Sequence, residues 1–245
     1  MNRYPLVILV ACGALGCGGK ASGPRDPAPP PEPRATRVPI EEPAEEEGVS
    51  FVNARGKMDT ATVAAGLAPH TEALTDCFMS NYGTRRWLGG QVVIHWDIQH
   101  DGMVTGVRMA ESDLGNWTIE RCLLDVARSV TFAKPAGGDA DFSVPLEFTA
   151  KGRSITWDED TALRAVGGQV AGLDACGKGK VRGPQGEVAI TLYVGPGGKV
   201  QSVGFATANP TDEAWTDCAE KAVQAWRLPD PRGSIAKLTA YFPRR

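Results

Sequence analysis

The sequence predicts an α+β fold made of two tandem small modules, each ordered helix, β-hairpin, helix, strand, with the helices packed on one face of an antiparallel sheet. Two observations predict it. Apolar and polar residues alternate through the run QVVIHWDI (91–98), and the turn Asp101-Gly102 follows, as is typical of a hairpin with one buried face. The same order of patterns then returns from Gly186 to Phe242. We therefore expect one supersecondary unit that occurs twice.

The repeat aligns without a gap through its central block when the second copy is shifted back by 96 residues. Gly90, Val92, Ile94, Gly102, Val104, Val107, Ala110, Cys122 and Pro135 match Gly186, Val188, Ile190, Gly198, Val200, Val203, Ala206, Cys218 and Pro231. Upstream the shift is 99 residues and pairs Asp59, Leu74 and Cys77 with Asp158, Leu173 and Cys176. These pairs predict module 1 over residues 51–150 and a divergent module 2 over residues 151–245.

Helices flank each predicted hairpin. A helical stretch from Asp59 to Tyr82 begins at an N-capping aspartate and is expected to bend at Pro69. A second helix is expected from about Asn116, because its apolar residues fall on one stripe. The first helix of module 2 is expected to start at Asp158 and to be loosened by Gly167-Gly168.

The N-terminus has the pattern of a bacterial lipoprotein signal peptide over residues 1–17, with an arginine, an apolar run and small residues. Two cysteines follow lipobox-like triplets, and Cys17 is favoured over Cys12 as the lipidated residue. An ordinary secretory signal is the alternative. The Pro- and Glu-rich residues 18–50 predict a disordered tether. Together these features predict a location on the periplasmic side of the outer membrane, held by the lipid.

The other cysteines lie two to a module, at Cys77 and Cys122 and at Cys176 and Cys218. Four cysteines allow three pairings, and the duplication favours Cys77–Cys122 and Cys176–Cys218 because each module must close its own core. Redox catalysis is disfavoured, since no C-x-x-C is present and each cysteine lies on an apolar helical stripe.

No residue pattern in the chain predicts catalysis, and we expect no cofactor. A net charge of -3 gives no basic footprint for nucleic acid. His95, with His100, Asp97 and Asp101 nearby, raises the alternative of a small metal-dependent envelope enzyme. Module 2 has no such residues at the matching positions, so a solvated polar face is the favoured interpretation and no metal site is expected.

One exposed-looking patch stands out in a loop. Arg85 and Arg86 beside Trp87 could bind a carboxylate, a glycan or a partner peptide. A loop that closes over the core with Trp87 is the simpler alternative.

The run G-x-V-x-I-x-W-x-I-x-x-D-G-x-V, then the helix with Cys122, then F-A-K-P-x-G-G and P-L-E-F resembles the TonB C-terminal-like domain. It looks most similar to the cysteine-bearing variant in the AgmX/PglI gliding-motility proteins of myxobacteria. The resemblance implies a non-enzymatic binding or scaffold component of a motility or envelope machinery, whose sheet edge takes up a segment of an envelope protein partner. Peptidoglycan is a further candidate partner, and a purely structural lipoprotein is a further alternative role. The oligomeric state is not indicated.

Lipidation at Cys17 is directly testable. Cells fed a fatty-acid analogue should label the wild-type chain, and Cys17→Ser should abolish the label because the thiol is the acylated group. Cys12→Ser is the matched control and should remain labelled. Label that persists in Cys17→Ser would contradict the assignment.

Overall fold

The computed structural model of this chain describes residues 56–244, which belong to one compact unit. The predicted signal peptide, the lipidation candidates Cys12 and Cys17, and the predicted tether at 18–50 lie outside the described residues. Among residues 56–244, no helix combines the length and the apolar character needed to cross a membrane. The fold is α+β, as the sequence predicts. We call residues 56–150 the first half and residues 151–244 the second half.

The first half follows the predicted order of helix, hairpin, helix and strand. Its elements are α1 (Thr60–Leu67), a 3-10 turn (Ala68–His70), α2 (Thr71–Asn81), β1 (Gly90–Ile98), β2 (Val104–Ser112), α3 (Trp117–Ser129) and β3 (Ala140–Phe148). Asp59 caps α1 by accepting from the Thr62 N–H, and Asn116 caps α3 by accepting from the Ile119 N–H. Pro69 lies in the 3-10 turn, so the helical stretch predicted as bent is divided there into two helices.

The first sheet has the strand order β2-β1-β3, and all its pairs are antiparallel. One face of β1 carries Val92, Ile94, Trp96 and Ile98, each at most 1% exposed, and packs against the helices. The Trp96 indole stacks on Phe142 of β3 and donates to the Ala127 carbonyl of α3 at 3.0 Å. This contact ties the sheet to α3.

The second half repeats this order with two changes. Its elements are β4 (Ile155–Thr156), α4 (Glu159–Val166), a 3-10 stretch (Val170–Gly177), β5 (Gly186–Val194), β6 (Val200–Thr207), α5 (Glu213–Gln224) and β7 (Ala236–Arg244). Where the first half has α2, the second half has only the 3-10 stretch. The short strand β4 pairs parallel with β7, so the second sheet is mixed, with the order β4-β7-β5-β6, rather than wholly antiparallel as predicted.

Both predicted disulfides are present. Cys77 of α2 bonds Cys122 of α3, and Cys176 of the 3-10 stretch bonds Cys218 of α5, each with Cα atoms 5.6 Å apart. The bonds close loops with separations of 45 and 42 residues. In the chain-entropy model each contributes roughly 3–4 kcal/mol by constraining the unfolded chain. Each disulfide therefore joins the two helical segments of its own half.

The two halves meet through the outer face of the second sheet, at a contact that we call the junction. Strand β5 is buried on both faces: Val188, Ile190 and Leu192 pack against the helices of the second half, whereas Ala189 and Tyr193 join the apolar core of the first half. Strand β6 packs beside β2. The expectation of one buried sheet face is therefore wrong for the second half.

Small residues let the halves approach closely at the junction. A Cβ atom on Gly204 of β6 would collide with the Glu120 carboxyl group of α3, and one on Gly115 would lie 2.9 Å from the Thr191 methyl group. Hydrogen bonds then cross the contact. The Asn116 amide donates to Ser202 Oγ at 2.8 Å, and Ser202 Oγ donates to the Gly115 carbonyl at 2.6 Å.

Glu120 is the buried charge-bearing group of the junction, with 0% exposure. Its carboxyl group accepts from Ser112 Oγ at 2.7 Å and from the Phe205 N–H of β6 at 2.9 Å. Burial raises the pKa of Glu120 to about 7, although these hydrogen bonds act in the opposite direction. Glu120 therefore links α3 to the second sheet, and the junction favours its neutral form.

Glu120 should make stability depend on pH. Because its folded pKa of about 7 lies above the ordinary value of 4.5, the folded chain binds the proton more tightly than the unfolded chain. The free energy of unfolding should therefore fall by on the order of 3 kcal/mol from this group as pH rises from about 4.5 to about 7. Denaturant unfolding at pH 5 and pH 8 measures it.

Glu120→Gln should remove this pH-dependent part of the free energy of unfolding, since a neutral amide takes the place of the carboxyl group. The exposed Glu72→Gln is the matched control and should keep the wild-type slope. An unchanged slope in Glu120→Gln would show that the Glu120 carboxyl group does not resist ionisation.

Candidate functional site

The outward edge of β3 is the candidate functional site. In an antiparallel strand, the N–H and C=O groups of one residue point to the same side and those of the next residue to the other. The Gly56 N–H donates to the Asp139 carbonyl at 2.8 Å from outside the sheet. The alternation then directs the backbone groups of Asp141, Ser143, Pro145 and Glu147 outward, away from β1.

The corresponding strand of the second half, β7, shows the same alternation of inward and outward backbone groups. The Ile155 N–H donates to the Ile235 carbonyl at 2.8 Å, and the Trp157 N–H donates to the Lys237 carbonyl at 2.9 Å. Residues 235 and 139 are related by the repeat shift of 96, so the same side of the last strand faces outward in both halves.

Pro145 fits an edge strand. It pairs with Val93 of β1 in the sheet register, yet it has no N–H to give to a neighbouring strand. Because its backbone points outward, β1 loses no hydrogen bond. An added strand would find N–H donors at Asp141, Ser143 and Glu147, and only a carbonyl at Pro145.

The last strand is covered differently in the two halves. In the second half, α4 packs closely on β7 and β4 pairs with the start of β7. In the first half, the described chain reaches the β3 edge at Gly56, and neither α1 nor α2 approaches β3 as closely as α4 approaches β7. The β3 edge beyond Asp139 is therefore the less covered of the two.

Apolar side chains line the helix side of this edge. Val144, Leu146 and Phe148 are only partly buried, although they belong to the strand face that turns toward the core. Phe148 stacks on Phe78 of α2 with ring centroids 4.9 Å apart. A strand laid along β3 would cover the remaining apolar surface of these residues.

A polar network lies on the opposite side of β3. His95 Nδ1 lies 3.0 Å from Ser143 Oγ, and His95 Nε2 lies 3.4 Å from Asp97 Oδ1. His95 is 5% exposed, so the prediction of a solvated polar face is wrong for this residue. The reason is the close packing of its cross-strand neighbours, since Asp141 of β3 and Arg108 of β2 lie beside it.

Burial lowers the pKa of His95 below its ordinary value, and the positive charge of Arg108 lowers it further. Asp97 and Asp141 act in the opposite direction but do not outweigh these effects. Arg108 Nη1 also pairs with Asp97 Oδ2 at 3.2 Å. The network therefore holds a neutral His95 beside two carboxylates near the β3 edge.

The alternative of a metal site at His95 has no geometric support. Across residues 56–244, no group of three or more histidine, cysteine, aspartate or glutamate side chains is arranged to hold an ion. His100 lies apart from His95, on the exposed turn, where its Nδ1 is 3.4 Å from Asp139 Oδ1.

The patch of Arg85, Arg86 and Trp87 is divided by the fold. Trp87 is partly buried at the junction, where its ring lies 4.5 Å from that of Tyr193. Tyr193 in turn donates to the Gly89 carbonyl at 2.9 Å. Arg85 and Arg86 are exposed, and the Arg86 carbonyl accepts from the Gly152 N–H at 2.5 Å. Trp87 thus follows the simpler alternative, a loop that closes over the core.

No family model matches the chain, and no curated protein or solved structure gives a significant match.

Hydrogen exchange can test the outward edge of β3. In the isolated protein, the amides of Ser143 and Glu147 should exchange quickly because they point away from β1. The amides of Phe142 and Val144 should be protected because they point toward β1. Residue-resolved exchange by NMR measures this, and equal protection at all four positions would contradict an open edge.

Proposed function

We propose that this protein is a non-enzymatic binding or scaffold component of the cell envelope, anchored at the outer membrane through Cys17. Its first half binds a partner protein by adding an extended segment of that partner to the edge of β3. The observation that carries the proposal is the outward backbone of β3 beyond Asp139, whereas the counterpart β7 is paired with β4 at its start, as far as Lys237. Strand addition uses such an edge, with the main chain supplying affinity.

The side chains beside the edge specify the segment. A strand added to β3 would alternate between the two sides of the sheet. On the outer side it would meet the carboxylates of Asp141 and Glu147, and on the helix side it would meet Val144 and Leu146. The partner segment is therefore an extended one in which basic and apolar residues alternate.

Pro145 restricts the register of this pairing. The N–H groups of Asp141 and Ser143 lie before the proline, and that of Glu147 lies after it. An added strand thus gains its best-paired stretch at 141–143, close to the His95 network. A segment that needs unbroken donors along β3 is disfavoured.

The pairing can be tested with two nine-residue peptides that alternate lysine with valine or glutamate with valine. The lysine peptide should shift the amide resonances of Asp141 and Ser143 in the labelled full chain and slow their exchange. The glutamate peptide should bind at least tenfold more weakly, because it meets the carboxylates of Asp141 and Glu147.

Ser143→Pro should lower the affinity for the lysine peptide at least tenfold, because it removes an outward N–H. Tyr241→Pro is the matched control, since residue 241 is the repeat counterpart of Pro145 on β7, and it should leave the affinity unchanged. Asp141→Ala keeps the backbone donor and should weaken binding through charge alone. Equal binding of both peptides, or wild-type affinity in both β3 variants, would contradict the proposal.

A further inference from the structure

The second half contains a cavity that does not touch β3. It has a volume of about 730 Å³ and lies between the 3-10 stretch, the loop before β5, α5 and the end of β7. Its lining includes Asp174, Gly177, Arg182, Pro184, Trp215 and Phe242. This volume lies within the range of about 300–1,000 Å³ that is usual for small-molecule sites.

The repeat explains how this cavity arose. The upstream shift of 99 residues pairs Phe78 of the first half with Gly177 of the second. Phe78 stacks on Tyr82 at 5.3 Å and on Phe148 at 4.9 Å, so aromatic rings fill the space in the first half. Gly177 has no side chain, so the equivalent space in the second half is not filled. The cavity is therefore a difference between two copies of one fold.

The cavity wall is held in place on several sides. Cys176, next to Gly177, is bonded to Cys218 of α5, the helix that also carries Trp215. The Arg182 N–H donates to Asp212 Oδ2 at 2.5 Å, and the Asp212 N–H donates to the Arg182 carbonyl at 3.0 Å. These bonds fix the backbone that presents Arg182. A wall fixed before binding lowers the entropy cost of holding a ligand.

The charges around the cavity favour an anionic group. Arg182 lines it and is exposed, so its guanidinium group can meet an anion, and Lys178 and Lys180 lie in the same loop outside the lining. A guanidinium group binds a carboxylate through two parallel hydrogen bonds. The Asp174 carboxylate, which also lines the cavity, would accept from a hydroxyl or amide N–H of the same ligand.

We propose that this cavity, which we call the Arg182 cavity, binds a small carboxylate whose body is a single ring with a hydrogen-bond donor. The carboxylate meets Arg182, the ring packs against Phe242 and Pro243, and the donor meets Asp174. The site is separate from the β3 edge, so it stands or falls independently of the strand-addition proposal.

Two carboxylate probes distinguish the sources of such a ligand: N-acetylmuramic acid for an acidic sugar, and 4-hydroxyphenylacetate for an aromatic acid. N-acetylglucosamine and 4-hydroxyphenylethanol are their controls without a carboxylate. At least one acid should shift the amide resonances of Gly177 and Gly183 in the labelled full chain, and it should bind at least tenfold more tightly than its control.

Gly177→Phe should abolish this binding, because it restores the residue that fills the space in the first half. A Cβ atom at Gly177 meets its nearest side-chain atom at 3.9 Å, an ordinary contact, and Gly177 is not at positive φ, so the backbone accepts the change. Arg182→Gln leaves the cavity open and should weaken binding of the acid at least tenfold. If Gly177→Phe does not fold, Arg182→Gln still tests the proposal.

Phe78→Gly would open the core of the first half, so it is not a suitable control. Arg85→Gln is the matched control, because Arg85 is exposed and distant in sequence from the Arg182 cavity. Arg85→Gln should bind the acid as the wild type does. Failure of both acids to bind, or equal binding of each acid and its uncharged control, would overturn the proposal. Undiminished binding in Arg182→Gln would overturn it as well.

Discussion

The burial of β5 on both faces is the constraint on which the rest of the molecule depends. A strand in an antiparallel sheet commonly has one face in the core and one in water. In β5, Ile190 and Leu192 face the helices of the second half, while Tyr193 faces the first half. The outer face of the second sheet must therefore be met by groups of matching shape and polarity. The start of α3, with Gly115, Asn116 and Glu120, supplies them.

A buried carboxyl group is an expensive way to join two surfaces, unless hydrogen bonds satisfy it. Glu120 accepts from Ser112 in its own half and from the Phe205 N–H in the other. These bonds form together only when α3 and β6 lie in one register, and Gly204 leaves no room for a side chain there. We interpret Glu120 as a group that specifies how the halves fit, more than one that adds stability. Its titration then connects the fit of the halves to pH.

Local patterns were sufficient to predict the elements but not their surroundings. The alternation in β1, the N-caps Asp59 and Asn116 and the paired cysteines follow from short-range rules, and the structure contains each of them. The burial of His95 could not be predicted in this way, because alternation identifies the polar face of a strand but not what covers it. Glu120 lies in the first turn of an amphipathic helix, where an acid is ordinary, and no local pattern indicates that it is buried.

Three features of the sequence indicate the second buried face, the cavity and the strand edge, but only once the repeat or the sheet order is known. Ala189 and Tyr193 on β5 stand where β1 has Val93 and Asp97, so the outer face of β5 is less polar than that of β1. That contrast indicates a second buried face. Glycine at 177 opposite Phe78 likewise indicates lost volume in the second half. Pro145 within an otherwise regular strand pattern indicates an edge. Each signal needed the repeat, or the sheet order, before it could be interpreted.

The same comparison explains why the two halves offer different sites. In the first half, α2 is a full helix, and its Phe78 fills the space beneath the end of β3, while the edge of β3 beyond Asp139 is left with its backbone groups outward. In the second half, the α2 position shortens to a 3-10 stretch that ends at Gly177, β4 pairs with the start of β7, and α4 packs on that strand. In both halves the disulfide holds its two cysteines with Cα atoms 5.6 Å apart, so each half keeps the same link between its helical segments while the exposed feature differs. Two halves with a similar order of elements and similar disulfides can in this way differ in the surface they expose, with an outward strand edge in one half and a cavity in the other.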